Sequence, residues 1–194
     1  MAVLGLDNPR RAAYFAMQKE VILKTRLWIW IADMPPLIAI VGNSDTGKTT
    51  LIERLIPDLK QRGYTVGTVK HTHHGFKMDK PGKDTWRHQA AGADTVVAVS
   101  PRRIAIVKTS PQDSLEAALP YLDDRDIVLA EGFKGGHCPK IEIFREAAGG
   151  QPVCLEDPLL MALVADMEIE TALPVFGLDD IGLIADFIES RFLR

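Results

Sequence analysis

Residues 37–63 read LIAIVGNSDTGKTTLIERLIPDLKQRG: an apolar run, a glycine-rich turn and an amphipathic segment in immediate succession. The turn fits G-x-x-x-x-G-K-[ST], with Gly42, Gly47, Lys48 and Thr49 in the defining places. The pattern carries meaning only between a buried strand and a helix. Leu37 to Val41 are continuously apolar, as in a strand covered on both faces of a parallel sheet. Leu51, Ile52, Leu55, Ile56 and Leu59 recur at helical spacing, Gly63 is placed to end the helix, and Pro57 is expected to kink it. Such a loop turns the backbone N–H groups of Asn43, Ser44, Asp45, Thr46 and the residues up to Thr49 toward an anion at a helix N-terminus, where the dipole favours negative charge. Lys48 then reaches the β and γ phosphates of a nucleotide. The Thr49 hydroxyl supplies one ligand to a magnesium ion that keeps most of its waters. A glycine-rich turn with a surface lysine is the bland alternative, and both flanks argue against it.

A chain of 194 residues is long enough for one sizeable core, and a single domain over 34–194 is expected. A formal charge of −3 argues against general nucleic-acid binding. Two cysteines, Cys138 and Cys154, form neither a disulfide framework nor a CxxC metal pair, which suits a reducing cytoplasm. Residues 1–33 read as an N-terminal extension, helical in pattern. Lys24 and Arg26 interrupt its apolar part, which falls short of the roughly 20 residues a membrane span needs, and no cleavage site follows LWIWIA. Three readings stand: a docking helix, a membrane-surface segment, or sequence translated from a start ahead of Met34. The last, or a loosely attached helix, fits best, with Trp28 and Trp30 the telling residues.

Further along, YTVGTVK reads as a second strand ending at Lys70. KDTWRHQAAGAD reads as a helix in which Ala90, Ala91 and Gly92 suit close packing. TVVAVSPRRIAIVKT reads as a hairpin turning at SPRR, and SLEAALPYL as a helix. DIVLAEGF is a buried strand ending in an acid; PKIEIFRE, LLMALVAD and LPVFGLDD are three more strands, and DIGLIADFIESRFL is a closing helix. The alternation predicts an α/β fold: a mostly parallel sheet of the P-loop NTPase type flanked by helices, with a β-hairpin extension. Ligands in such sheets bind beyond the carboxyl ends of the strands. The P-loop, KHTHH, AEGFK and VAD all sit at strand ends and are expected to converge on one crevice.

The segment from Lys70 to His88 holds His71, His73, His74 and His88, with Lys70, Lys77, Lys80, Lys83 and Arg87 against Asp79 and Asp84. A locally positive stretch in an acidic chain suggests an anionic ligand. Zinc or nickel binding by His71 and His73, or a solvated basic loop, are the alternatives. Glu131 ends a strand where a P-loop protein places its second magnesium-associated carboxylate, direct or through water; capping the strand or pairing with Lys134 is the alternative. Asp126, at the other end of that strand, is weaker. Asp166 follows LLMALVA, where a carboxylate could accept from guanine N1 and N2, or could simply be a turn residue. The guanine-reading NKxD sequence is absent. No residue that would activate water is identifiable, so slow hydrolysis is expected at most.

These motifs together, GNSDTGKTTLIERLIPDL, VKHTHHGFKMDKPGKDTWRHQAAGA, VLAEGFK and PKIEIFR in that order, resemble the molybdopterin-guanine dinucleotide biosynthesis protein B (MobB) family over about residues 35–190. The resemblance implies a GTP-binding adaptor with weak magnesium-dependent GTPase activity. It would work as a homodimer beside the MobA-type guanylyltransferase that joins GMP to molybdopterin. It implies that Gly42 to Thr50 bind phosphates and magnesium, Lys48 and Glu131 serving any catalysis, with Glu131 near the metal. Lys70, His71, His73 and His74 would line the anionic site. Asp79, Lys80, Gly82 and Lys83 would belong to an adjoining loop, next to the phosphate of the molybdopterin cofactor if that binds. Residues 1–33 depart from the family pattern, which starts near Met34. Two other classes compete. A small-molecule kinase would use Asp79 or Asp84 near its acceptor, and a nickel-inserting GTPase would use the histidines. A dimer could form through the unpaired edges of the hairpin.

Overall fold

The computed structural model describes residues 34–72, 75–76 and 79–193. The expected N-terminal extension, His73 and His74 lie outside the described residues. The chain divides into two compact units, one running to His71 and resuming at Ala118, the other Thr72–Ala117.

The larger unit is a six-stranded sheet in which every pairing is parallel. Its strands are β1 (Leu37–Val41), β2 (Val66–Lys70), β5 (Ile127–Glu131), β6 (Lys140–Phe144), β7 (Leu160–Ala165) and β8 (Val175–Phe176), in the order β2-β5-β1-β6-β7-β8. Helix α1 (Lys48–Gln61) follows β1, and α3 (Ile181–Ile188) leads into a π-helical turn at Glu189–Leu193. One sheet face, with Ile38, Ile40, Leu129, Ile141, Ile143 and Val164, packs with Leu51, Leu55 and Leu59 of α1 and Ile184 and Ile188 of α3. That is the apolar spacing the sequence announces. Helix α1 continues through Pro57 and closes on Gly63, whose N–H bonds to Lys60 while the Tyr64 N–H bonds to Leu59. Only a residue free to take φ +97° suits that turn.

Strand β6 breaks the usual alternation. Ile141 and Ile143 enter the helix-covered core, but Lys140 and Glu142, on the opposite face, are each only 1% exposed. Lys140 Nζ donates to the Gly136 and Cys138 carbonyls and pairs with Asp157 at 2.9 Å. Glu142 accepts the N–H groups of Val153 and Cys154 at 2.6 and 2.9 Å. A buried charge is tolerated only when so satisfied. The two side chains therefore pin the loops 132–139 and 145–159 against the sheet. Burial, with Glu142 and Asp157 nearby, pushes the Cys154 thiol up, so it stays protonated and inert.

In the smaller unit, α2 (Asp84–Ala90) precedes the hairpin β3 (Thr95–Ser100) and β4 (Arg103–Lys108), which turns at Pro101–Arg102 as expected. Two expectations need correction. Ala90, Ala91 and Gly92 are exposed and make no close packing; Gly92, at φ +105°, ends the helix by donating to Gln89 while Ala93 donates to His88. SLEAALPYL is not one helix but two short 3-10 turns, Leu115–Ala117 and Leu119–Tyr121. Pro120 lacks the N–H that a continuous helix would need.

Arg62 ties the end of α1 to α3. It donates to Asp58, Asp186, Glu189 and the Gly182 carbonyl, and Tyr64 completes the Glu189 carboxylate at 2.9 Å. Removing it takes away a cation bonded to the largely buried Glu189. Arg62→Ala is expected to cost about 1–2 kcal/mol in urea unfolding, with the transition remaining cooperative.

Candidate functional site

The carboxyl ends of β1, β2 and β5 meet at one place. Gly42 leaves β1 at φ +141°, and a methyl group there would lie 2.2 Å from the Ile143 carbonyl oxygen. The turn that follows takes Asp45 to φ +60° and Gly47 to φ +97°, while the fully buried Thr46 donates its hydroxyl to the Asn43 carbonyl at 3.0 Å. Helix α1 then starts at Lys48 with no side chain capping it. Its first N–H groups are left for an anion.

Lys48 folds back and donates to the Asn43 carbonyl. Burial holds its pKa below the usual lysine value, the like charge of Lys134 adds to this, and Glu131 opposes it. An incoming phosphate would relieve that cost by pairing the ammonium. The Thr49 hydroxyl donates to Glu131 Oε1 at 2.9 Å, and Lys70 Nζ reaches the same oxygen at 2.7 Å. Register places them: Lys70 pairs with Glu131 across β2 and β5, and the His71 N–H donates to the Glu131 carbonyl.

The residues present fit magnesium. The Thr49 hydroxyl and the Glu131 carboxylate bring two hard oxygen donors within 2.9 Å of each other, the donor chemistry that would hold magnesium. Among the described residues no three His, Cys, Asp or Glu side chains form a ligand cluster. Such an ion would have few protein ligands here, which suits magnesium.

After Glu131 the chain turns sharply through Gly132 at φ +90° and Phe133 at φ +58°. A left-handed phenylalanine costs about 1–2 kcal/mol. Stacking of the Phe133 ring on His71, centroids 4.8 Å apart, offsets much of it at about 0.5–1.5 kcal/mol.

The structure thus gathers Asn43, Lys48, Thr49, Lys70, His71 and Glu131, with Ser44, Asp45 and Thr50 on the exposed rim. Asp166 stands apart, two strands from β1 in sheet order or about 10 Å. Its carboxylate accepts the Glu146 N–H at 2.9 Å, and it lines a cleft of about 1100 Å³ with Phe176 and Leu178. The P-loop, Lys70–His71, Glu131 and Asp166 therefore occupy one sheet edge but not one crevice. Lys80 and Lys83 are exposed residues of the smaller unit. Asp126, the weaker candidate, hydrogen-bonds the Thr65 hydroxyl and N–H, which holds its carboxyl low and serves to join β2 to β5. The sequence offers Lys134 only as a partner for Glu131, whereas its Nζ stands 3.4 Å from Asn43 Oδ1. The doublet Gly132–Phe133 after a strand-ending acid was the available signal.

Residues 37–166 match the family described as molybdopterin guanine dinucleotide synthesis protein B, MobB. The chain belongs to the MobB family. It is 38% identical over 162 residues to the molybdopterin-guanine dinucleotide biosynthesis adapter protein of Escherichia coli (strain K12), covering 80% of this chain and 92% of that one. The protein of that description from Haemophilus influenzae is 37% identical over 165 residues, covering 84% and 92%. Among solved structures, Bacillus subtilis MobB superimposes with a TM-score of 0.64 at 28% identity, covering 81% of this chain and 98% of that one. The MobB likeness extends over the P-loop, β5, β6 and the end of β7.

Gly42 is the tightest steric point. Gly42→Ala is expected to force the loop off the Ile143 carbonyl and lower stability by about 2–4 kcal/mol in urea unfolding. Gly63→Ala, where nothing lies within 4 Å, is expected to cost only about 1 kcal/mol.

Proposed function

We propose that this protein is a GTP-binding adapter in the synthesis of molybdopterin-guanine dinucleotide, acting on the guanylyltransferase that attaches GMP to molybdopterin. The observation that carries the reading is the meeting of an uncapped helix N-terminus, Lys48 and the Thr49–Glu131 oxygen pair at one sheet edge. Backbone N–H groups of the loop bind the phosphates, Lys48 neutralises the β and γ groups, and Thr49 and Glu131 hold magnesium. Bound there, the ion would neutralise phosphate charge. The base lies toward the cleft at Asp166, whose carboxylate suits the N1 and N2 donors of guanine, a donor pair that adenine lacks. Hydrolysis is weak, and nucleotide occupancy rather than turnover is what the partner enzyme reads. Support for the pathway comes from the family and from relatives named as adapter proteins. The free, buried cysteines suit a cytoplasmic protein, and among the described residues no helix is long and apolar enough to cross a membrane.

Binding measured by titration with magnesium is expected to favour GTP over ATP, and Lys48→Ala to weaken GTP by more than about thirtyfold. Thr49→Ala is expected to remove most of the magnesium dependence. Preference for ATP, or binding indifferent to Lys48, would overturn the reading.

The protein acts as a homodimer through the hairpin. Val97 pairs with Ile106 and Val99 with Ile104, so all four lie on one face, and they are 51%, 42%, 74% and 68% exposed. A β-branched patch of that kind marks a protein contact. Light scattering at micromolar concentration is expected to give twice the chain mass, and Val99→Asp with Ile104→Lys to halve it. A monomeric unaltered protein would sink the dimer.

A further inference from the structure

We infer that Lys134 is a third phosphate-side cation, one that recognises the terminal phosphate of the bound nucleotide. The inference rests on the nucleotide-binding reading of the P-loop. Lys48 and Lys134 converge on Asn43. One ammonium bonds the main-chain carbonyl of Asn43 and the other stands 3.4 Å from its side-chain oxygen. Lys48 marks the end of the loop where the β and γ phosphates lie, and Lys134 shares that end because it contacts the same residue. Two ammonium groups are thus brought to one residue of the loop. Bringing two cations together is unfavourable without an anion between them. Among the described residues Lys134 has no carboxylate within ion-pair distance, whereas Lys70 has Glu131 and Lys140 has Asp157.

The chain is built to hold Lys134 there. Two successive left-handed residues, Gly132 and Phe133, bend the backbone directly after Glu131. The Phe133 ring is fixed on His71, and the Gly136 N–H closes a turn onto the Phe133 carbonyl at 2.8 Å. Lys140 then clamps the far side of the loop by taking the Gly136 and Cys138 carbonyls, itself anchored by Asp157. This accounts for the buried lysine in PKIEIFR, which phosphate binding alone does not explain. Strain retained by a rigid surround is characteristic of functional loops. A compact ammonium at the loop tip suits a phosphate oxygen as a point charge.

The test is the ratio of GDP to GTP dissociation constants, measured with magnesium on the unaltered protein and on Lys134→Ala, Lys134→Gln and Lys134→Arg. Both neutral variants are expected to lose about tenfold or more in GTP affinity and less than about threefold in GDP affinity, with the arginine variant keeping most of the discrimination. Lys134 is exposed, so melting temperatures should stay unchanged, and the glutamine variant decides the matter if the alanine one misfolds. An unchanged ratio in the neutral variants would overturn the inference, as would an arginine variant that behaves like alanine. If the unaltered protein binds GTP no better than Lys48→Ala does, the nucleotide reading itself falls and this inference with it. If Lys48 matters and Lys134 does not, only this inference falls.

Discussion

The approach of Gly42 to the Ile143 carbonyl is the constraint on which the site depends. With 2.2 Å between that oxygen and any methyl group on Gly42, the P-loop rests directly on the end of β6. The position of the loop is therefore only as well defined as β6 is. Strand β6 is held in the ladder between β1 and β7, on one face by Ile141 and Ile143 in the core, and on the other by Lys140 and Glu142. Burying those two charges is not a source of net stability, since apolar residues of similar shape would serve as well or better. What they contribute is uniqueness. Each charge demands particular partners, and those partners are the loops 132–139 and 145–159. The first of these loops reaches Asn43 through Lys134, so the polar face of β6 and the phosphate loop are parts of one arrangement.

Glu131 Oε1 accepts from both Thr49 and Lys70, which makes one oxygen the meeting point of the P-loop and the end of β2. A magnesium ion held there, as proposed, would compete with the Lys70 ammonium. Lys70 is mostly exposed, so its ion pair is worth about 1 kcal/mol or less and yields readily. Displaced, it remains on the strand next to the phosphates as a further positive charge. The site can thus exchange a salt bridge for metal and phosphate contacts with little rearrangement. A chain of net charge −3 in this way concentrates Lys48, Lys70 and Lys134 at one sheet edge.

Most of the sheet and its central helix were legible in the sequence because their signals are local. Leu37–Val41 and Ile127–Ala130 are unbroken apolar runs, and Leu51, Leu55 and Leu59 keep helical period. Strand β6 was legible as a strand but not in its burial. Lys-Ile-Glu-Ile-Phe has the alternation of a half-exposed strand, and only the sheet order, with β1 on one side and β7 on the other, shows that both faces are covered. The same limit hid Lys134. In sequence it reads as a partner for Glu131, whereas the left-handed pair Gly132–Phe133 swings it toward Asn43. Ala90, Ala91 and Gly92 misled for the opposite reason: small residues permit close packing or helix termination, and only the bonds from Gly92 and Ala93 show which.

The place where the chain leaves the larger unit is also set by the site. Lys70 is the last residue of β2, the His71 N–H is bound to the Glu131 carbonyl, and the His71 ring stacks on Phe133, after which Thr72 begins the smaller unit. The exit is fixed by a backbone bond to Glu131 itself and an aromatic contact to Phe133, two residues further on. Each contact is modest, of order 1 kcal/mol. Together they hold His71 by both its main chain and its ring, and a residue held at two points has little freedom to shift alone. The Glu131–Phe133 turn and His71, the last residue of this stretch of the larger unit, are therefore held as one piece.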